Sequence, residues 1–239
     1  MTKFDTIVIG SGPGGYVAAI RCAQLGMKTA IIERYPTLGG TCLNVGCIPS
    51  KALLDSSEHF NNAKHNFEKH GIITQKLELN WPRMLERKDD VVSQTCDGLQ
   101  YLMKKNKITF FNGHGTFKDK NTITVKKGND EHTFKTEYTI VATGSKPSNI
   151  PGVNCDKKRI ITSTEALSLP KVPEKLVVIG GGIIGLELGS VFNRLGSKVQ
   201  VVEYLDRLVA GMDISLGKEI LRVLKKQGIE FFLSHAVQK

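Results

Sequence analysis

Cys42 and Cys47 are the residues of this sequence whose type and spacing most directly suggest chemistry. They lie in the segment Gly-Gly-Thr-Cys-Leu-Asn-Val-Gly-Cys-Ile-Pro-Ser-Lys, which ends at Lys51. In a regular helix the Cα atoms of residues i and i+5 are about 8.6 Å apart, which exceeds the roughly 7 Å that a disulfide can bridge. Gly46 is conformationally permissive and Pro49 disturbs the preceding turn, so we expect a distorted helix in which the sulfurs can meet. The segment predicts a redox disulfide on the first turns of a helix, where the helix dipole favours thiolates.

Three other kinds of site compete with a redox disulfide. A metal site needs further ligands at suitable spacing, and none adjoins the pair. A plant-type iron–sulfur cluster would need a third cysteine where Ser50 stands. Two unconnected thiols remain an alternative because buried cysteine is common, although they would leave the flanking glycines and the Ile-Pro-Ser-Lys run unexplained. We therefore expect no metal centre.

A glycine-rich loop before the cysteines has the spacing of a dinucleotide-binding motif. A short apolar strand leads into Gly-Ser-Gly-Pro-Gly-Gly, and a helix and a second strand are predicted after it. Gly10 allows the tight turn, Gly12 lets the backbone approach a pyrophosphate, and Gly15 lets helix and strand pack closely. Glu33 ends the second strand, where a carboxylate accepts hydrogen bonds from an adenosine ribose. Together they predict a complete βαβ dinucleotide motif.

The same motif recurs in the second half of the chain. A predicted strand runs into Gly-Gly-Gly-Ile-Ile-Gly, in which Gly180, Gly182 and Gly185 reproduce the spacing of the first loop. Glu203 follows at the interval seen in the first motif. Its charge repels the 2′-phosphate of NADP and suits the ribose of NAD, and we interpret Arg207 as a surface residue. Two such motifs imply two nucleotide cofactors.

The rest of the sequence predicts the architecture around these motifs. A long helix capped by Asn80 has a buried stripe that includes Cys96, and short β segments follow, among them separate strands at residues 132–134 and 138–142. Prolines after residue 146 suggest a domain connection. We expect an α/β fold with two Rossmann-like domains that have parallel sheets, the first with an added β-meander. The predicted domains are residues 1–149 and 150–239.

Composition limits the class of protein. The formal charge of +10 comes from scattered lysines without an aromatic binding motif, so a solvated surface is favoured over a nucleic-acid partner. Five cysteines, an odd number, do not suggest a secreted disulfide scaffold. No apolar run approaches the roughly 20 residues of a membrane span. The amino terminus leads directly into a strand without room for a targeting peptide, so we expect a cytoplasmic protein.

The order of these motifs resembles the flavin-dependent pyridine nucleotide–disulfide oxidoreductases over essentially the whole chain. A nucleotide motif, the two-cysteine segment, an Ala-Thr-Gly that ends at Gly144 and a second nucleotide motif follow one another. Within that family the run from Cys42 to Lys51 is most similar to that of dihydrolipoamide dehydrogenases. Glutathione reductases usually have lysine at the position of Ser50, and mercuric reductases, which can share the serine, are a nearer alternative.

The resemblance implies FAD on the first motif and NAD on the second, and it implies residue roles. Cys42 matches the thiol that exchanges with the dithiol substrate, and Cys47 the thiolate against the flavin. Lys51 matches the lysine near the reactive flavin nitrogen, and Glu187 its paired carboxylate. A cation there stabilises reduced, anionic flavin, and a buried lysine is tolerable only when paired. Three further residues match backbone contacts to FAD: Gly115, Thr143 and Gly144.

The implied reaction oxidises dihydrolipoamide with NAD+, and the implied partner is a lipoyl group of a 2-oxo acid dehydrogenase or glycine cleavage complex. Complete members of this family are homodimers roughly twice this length. Their carboxy-terminal dimerisation domain, with its His-Glu pair, is not matched here, and His235 does not fit that histidine. Two hypotheses follow: the amino-terminal half of a working dehydrogenase, or a truncated chain that binds nucleotide, or nothing, without turnover. We expect the isolated chain to be inactive.

Overall fold

The structure is a computed structural model that describes residues 2–148 and 150–237. Its helices and strands alternate in residues 3–45 and again in residues 163–232. In order they are β1 Lys3–Ile9, α1 Pro13–Gln24, β2 Thr29–Glu33, α2 Gly40–Val45, α3 Cys47–His65, α4 Trp81–Lys105, β3 Thr109–Asn112, β4 His114–Asp119, β5 Thr122–Lys127, β6 Asp130–Val141, α5 Ser163–Ala166, β7 Lys175–Ile179, α6 Ile183–Arg194, β8 Lys198–Val202, α7 Ile214–Lys226 and β9 Glu230–Phe232.

The chain divides into two compact units. Unit 1 combines Met1–Pro49 with Asp90–Lys146, and unit 2 combines Ser50–Asp89 with Pro147–Lys239. Compactness thus groups residues 50–89 with the second nucleotide motif. The predicted boundary between residues 149 and 150 separates two cofactor-binding domains and stays a prediction. Residue 149 itself lies outside the described residues.

Unit 1 is built on a six-stranded sheet in the order β3-β2-β1-β6-β5-β4. Strands β1, β2, β3 and the second half of β6 are parallel, as the βαβ pattern predicts. The first half of β6 instead pairs antiparallel with β5, which pairs with β4, and these strands form the predicted meander. The prediction of two separate strands at residues 132–134 and 138–142 is wrong, because one long strand serves both pairings.

The central strands of unit 1 are buried on both faces. On β1, Ile7 packs in one apolar cluster and Val8 in another, which is the alternation expected of a strand covered on each side. The second half of α4 covers one face with Cys96, Leu99 and Met103, and Cys96 is thus buried as the sequence predicts. This double covering fixes the carboxyl ends of the strands, from which the first glycine loop emerges.

Unit 2 contains a three-stranded parallel sheet in the order β7-β8-β9. Helix α6 packs against it through Leu186, Val191 and Phe192, and the beginning of α4 joins the same core. There the Trp81 ring lies 5.9 Å from the Phe192 ring, and Trp81 Nε1 donates to Leu169 O at 2.8 Å. The predicted α/β architecture, with a parallel sheet behind each nucleotide motif, is confirmed.

Candidate active site

The first glycine loop, Gly10–Gly15, joins β1 to α1. Gly10 has φ +101°, a conformation that favours glycine, and its N–H donates to Ile32 O at 2.8 Å. A Cβ on Gly15 would lie 1.9 Å from Gly10 O, so helix and strand meet here without room for a side chain. A Cβ on Gly12, the N-cap of α1, would meet no described atom within 4 Å. The start of α1 therefore faces space suited to a pyrophosphate.

Glu33 closes this loop from the end of β2. Its side chain is buried, and its Oε2 accepts hydrogen bonds from Ser11 N at 3.0 Å and Ser11 Oγ at 2.7 Å. Its Oε1 accepts one from Tyr35 N at 3.0 Å. A carboxylate has about four acceptor sites, so one remains for a ribose hydroxyl. These residues fit the adenosine and pyrophosphate portions of a dinucleotide.

Three other predicted flavin contacts lie at the same end of the sheet. Gly115 is on β4, where a Cβ would lie 3.3 Å from side-chain atoms at the ends of β1 and β2. Thr143 follows β6, and its Cα would lie 3.2 Å from a Cβ placed on Gly10. Gly144 comes next, with φ +70°. The structure thus brings the predicted FAD residues of unit 1 to one edge.

The second glycine loop, Gly180–Gly185, repeats this geometry in unit 2. Gly180 has φ +102°, and its N–H donates to Val202 O at 2.8 Å. Glu203 Oε2 accepts from Gly181 N at 2.5 Å, and its Oε1 accepts from Leu205 N at 2.7 Å. The carboxylate at the end of the second strand therefore braces the loop in both motifs.

The remaining glycines of the second loop match their counterparts. Gly182 is the N-cap of α6, and a Cβ there would meet no described atom within 4 Å. A Cβ on Gly185 would lie 2.7 Å from Val178 Cγ1, so this residue permits close packing of helix and strand. The arrangement fits a second dinucleotide with its pyrophosphate at the start of α6.

The two cysteines lie on different helices, α2 and α3, and only Gly46 stands between these helices. Helix α2 contains Cys42, Gly46 interrupts the helix with φ −140° and ψ −112°, and Cys47 begins α3. The prediction of a single distorted helix is wrong in this detail, because a Cβ on Gly46 would lie 2.9 Å from Thr41 O and the chain turns sharply there. Pro49 is the third residue of α3, where its missing N–H costs no helical hydrogen bond. Cys47 thus stands at the positive end of α3.

Helix α2 begins against the first glycine loop. Gly39, its N-cap with φ +106°, donates its N–H to both the carbonyl and the hydroxyl oxygen of Ser11, each at 3.1 Å. A Cβ on Gly40 would lie 2.6 Å from Gly12 Cα. Asn44 holds the same helix from within by donating to Gly40 O at 2.9 Å. The segment that carries Cys42 is therefore built onto the loop that precedes it.

Lys51 and Glu187 form an ion pair in unit 2. Lys51 Nζ lies 2.6 Å from one carboxylate oxygen of Glu187 and 2.8 Å from the other. The side chains of Lys51 and Glu187 are 58% and 26% exposed, so the expectation of a buried lysine is wrong. Lys51 lies in the second turn of α3, on the surface of its unit, and water shares in solvating its charge. The pair predicted between these residues is present in the structure, and its catalytic role stays a prediction.

Sequence reasoning did not single out Ser11, Gly39, Gly40 or Gly181 as site residues. All four lie inside the motifs that it identified. The sequence feature that could have identified Gly39 and Gly40 is that they form a Gly-Gly pair two residues before Cys42. For Ser11 there was no such signal, because the middle position of a glycine loop accepts many residue types.

Cys96 packs against the helix that contains Cys42, with its Sγ 3.6 Å from both Leu38 O and Asn44 Oδ1. Burial, and secondly the charge of Asp97, raise the pKa of the Cys96 thiol, which makes it a poor nucleophile. His235 Nδ1 lies 2.6 Å from Leu233 O, and the His235 N–H donates to Glu203 O at 3.0 Å. In residues 2–148 and 150–237 no cluster of three or more His, Cys, Asp or Glu could hold a metal ion. The same residues form no helix that is long and apolar enough to span a membrane.

A polar cavity of about 710 Å³ in unit 2 is explained by helix ends. Helices α3, α6 and α7 each have basic residues in the last turn. Each carboxyl end carries roughly half a negative charge, which nearby cations balance. Two of the lining arginines are also paired, Arg194 with Glu58 and Arg222 with Glu219. The basic lining therefore needs no bound anion to account for it.

Comparisons with known proteins place these motifs in a family. The model of the pyridine nucleotide-disulphide oxidoreductases matches residues 4–239. A mitochondrial dihydrolipoyl dehydrogenase of Schizosaccharomyces pombe is 50% identical over 96% of this chain and 45% of its own length. Dihydrolipoyl dehydrogenase 3 of Pseudomonas putida is 48% identical over 99% of the chain and 51% of its own length. A leghemoglobin reductase of Glycine max is 50% identical over 98% of the chain and 45% of its own length.

Solved structures agree with the sequence comparisons. The HOCl-induced flavoprotein disulfide reductase RclA of Escherichia coli, solved as a Cu(II) complex, superposes with a TM-score of 0.82 at 26% identity. The match covers 100% of this chain and 51% of that protein. The chain spans about half the length of the curated relatives it matches. The predicted resemblance is confirmed, as are the cofactors at the level of the family, whose members use FAD and NAD(H). The chain therefore belongs to the pyridine nucleotide-disulphide oxidoreductase family.

Proposed function

We propose that this chain forms the two nucleotide-binding domains of a flavoprotein that passes electrons from a dihydrolipoyl group to NAD+. Residues 1–149 are assigned to FAD and the redox disulfide, and residues 150–239 to NAD. One observation supports the pairing of flavin with disulfide chemistry: Gly40, at the start of the Cys42 helix, packs directly on Gly12 of the first glycine loop. A reducible cysteine pair built onto a nucleotide loop suits electron transfer between the two.

The residues that would hold the cofactors follow from the two loops. The start of α1 and Glu33 would bind the pyrophosphate and adenosine ribose of FAD, with Gly115, Thr143 and Gly144 as further backbone contacts. The start of α6 and Glu203 would bind NAD in the same manner. When bound, FAD accepts an electron pair from the reduced cysteines and NAD+ accepts the hydride that leaves the flavin.

The cysteines perform thiol–disulfide exchange. A substrate thiolate attacks Cys42 Sγ, the Cys42–Cys47 bond breaks, and Cys47 leaves as a thiolate. The second substrate thiolate attacks the sulfur that is bonded to Cys42, which releases the cyclic lipoyl disulfide and the Cys42 thiolate. Two electrons have then moved from substrate to protein, and the two substrate thiols have each lost a proton. The position of Cys47 at the start of α3 stabilises its thiolate as a leaving group.

Lys51 and Glu187 are assigned an electrostatic role. A lysine whose charge is oriented by a carboxylate presents a fixed cation that favours an anionic partner. The bidentate contact restricts Lys51 Nζ to one position. We propose that this cation stabilises the reduced form of the flavin.

The names of the relatives bear on the binding partner and on the cellular location of this protein. Several relatives are dihydrolipoyl dehydrogenases named as mitochondrial, whereas the sequence predicts a cytoplasmic protein. We propose a lipoyl group of a 2-oxo acid dehydrogenase or glycine cleavage complex as the substrate, and a homodimer as the working form of the complete enzyme. This chain, which spans about half of those relatives, is proposed not to turn over alone.

A substrate comparison tests this function. The full-length protein is assayed for NAD+ reduction with dihydrolipoamide, and for NADH- and NADPH-dependent reduction of glutathione disulfide and Hg²⁺. Dihydrolipoamide with NAD+ should give the largest kcat/KM. A larger value with glutathione disulfide or Hg²⁺ would favour the corresponding reductase and overturn the proposed substrate.

A further inference from the structure

We propose that the Ser11 hydroxyl is a positioning group that couples the first glycine loop to the helix that carries Cys42. The proposal rests on the proposed function, because it assigns the hydroxyl a part in placing the exchange thiol. Ser11 acts through α2, the helix that contains Cys42.

The hydroxyl links three structural parts that meet around it. Ser11 is fully buried, and its Oγ donates to Glu33 Oε2 at 2.7 Å while accepting from Gly39 N at 3.1 Å. Glu33 is the residue assigned to the cofactor ribose, and Gly39 is the N-cap of α2. One hydroxyl thus connects the carboxylate at the end of β2 with the N–H of the N-cap of the Cys42 helix.

The second motif shows that the loop does not need this hydroxyl to close. At the position equivalent to Ser11 stands Gly181, whose N–H still donates to Glu203. A Cβ there would lie 2.5 Å from Leu208 Cδ2, so a side chain at this position would require Leu208 to shift. Residues 204–239 contain no cysteine. The carboxylate-to-amide brace is common to both motifs, whereas the hydroxyl occurs only where a cysteine helix follows.

The geometry has two consequences. Without the hydroxyl, Gly39 N–H keeps only the Ser11 carbonyl, so the start of α2 should open more often and expose Cys42. A ligand that orders Glu33 should also stabilise the start of α2 through Ser11. Such coupling between the two sites is reciprocal. Cofactor binding should therefore protect Cys42 more strongly when Ser11 is present.

Thiol alkylation measures both consequences in the chain as given. The protein is reduced, freed of reductant and treated with iodoacetamide, and the rate at each cysteine is followed by peptide mass spectrometry with and without FAD. The variants are Ser11→Ala and Ser11→Gly, the latter using the residue of the second motif. The control is Thr136→Val, which removes another buried hydroxyl of unit 1, one that donates to Tyr138 O at 2.7 Å away from α2. Thermal unfolding shows that each variant is folded.

The expected result is a faster reaction at Cys42 in both Ser11 variants. Loss of one net hydrogen bond should raise the Cys42 rate about fivefold without FAD, and the Cys47 rate should change less. Thr136→Val removes a hydrogen bond that does not involve α2, so both rates should stay within about twofold of the parent. FAD should slow the Cys42 reaction of the parent more than that of either Ser11 variant.

The two proposals fail in different ways. If FAD protects no cysteine in any protein while the Ser11 variants still accelerate Cys42, the flavin assignment fails and the positioning role stands. If the Ser11 variants and Thr136→Val give the same Cys42 rate as the parent, or accelerate all cysteines equally, Ser11 is merely structural and the proposal is overturned.

Discussion

Lys51 Nζ lies within 2.8 Å of both carboxylate oxygens of Glu187, although 136 residues separate the two in the sequence. Lys51 is the last residue of the two-cysteine segment, and Glu187 follows the second glycine loop in α6. The pair therefore joins residues from the two motifs whose order defines the family. Its exposure means that this contact contributes little to the stability of the fold.

Glu187→Gln should separate catalysis from stability. An exposed ion pair is worth about 0–1 kcal/mol, so the free energy of unfolding should fall by no more than that. Loss of an oriented charge at a reacting centre is far more costly, and dithiol-dependent NAD+ reduction by the full-length protein should drop about tenfold or more. Glu219→Gln, which removes the exposed partner of Arg222, is the matched control and should leave the rate unchanged. Equal rates for the two variants would remove Glu187 from the mechanism.

Serine replacements should distinguish the two sulfurs. In the full-length protein, Cys42→Ser should abolish dithiol oxidation and leave Cys47 able to give a long-wavelength thiolate–flavin absorption. Cys47→Ser should abolish both. The reason is that only Cys42 is assigned to exchange and only Cys47 to the flavin. A long-wavelength band that survives in Cys47→Ser and is lost in Cys42→Ser would show that the roles are reversed.

Cofactor preference should respond to Glu203 and its neighbour. Because Glu203 also accepts from Gly181 N, Glu203→Gln is the suitable change, since it removes the charge and keeps an acceptor. Tyr204 is 75% exposed and can be replaced by arginine without disturbing a core. The double variant should shift preference toward NADP by roughly 2–4 kcal/mol, from a guanidinium–phosphate contact and relief of repulsion. Tyr204→Arg alone is the control, and kcat/KM ratios that stay fixed in the double variant would place the ribose elsewhere.

Cys96 should react with alkylating reagents only at higher pH than an exposed thiol. Burial raises its pKa, so at a given pH a smaller fraction is thiolate than in the unfolded chain, and alkylation of Cys96 in the folded protein should lag behind that in the urea-unfolded protein as pH rises. Because the folded pKa is raised, the pH dependence of stability runs opposite to that of a carboxyl group whose folded pKa is lowered. The unfolded thiol loses its proton first, so stability should fall as pH rises above the unfolded pKa. Urea midpoints between pH 7 and about 10 for the parent and Cys96→Ala measure this, because the variant should lose that part of the slope.

The sequence predicted what depends on local spacing. Each glycine loop, with its terminal glutamate, is a short-range pattern whose geometry follows from steric rules, and the structure places Gly10, Gly15, Gly180 and Gly185 as those rules require. The pairing of Lys51 with Glu187 is a long-range contact that only the resemblance to a family supplied. Nothing in the spacing of two residues so far apart encodes it.

Four features depended on contacts that spacing does not reveal. β6 is a single strand because two different neighbours pair with its halves, which a window of residues cannot show. The helix break at Gly46 reflects the approach of Thr41 O, and the role of Ser11 depends on Gly39 arriving from another segment. Residues 50–89 pack in unit 2 because apolar residues such as Trp81 find their partners there.

Dithiol titration of the flavin-loaded protein tests the central claim most directly. The oxidised full-length protein is treated with one equivalent of dihydrolipoamide, and the absorption spectrum and the newly alkylated cysteines are recorded together. The account predicts that Cys42 and Cys47, and no other cysteine, become alkylated as a long-wavelength band appears. Reduction that leaves these two unchanged, or that exposes Cys22 or Cys96 instead, would contradict it.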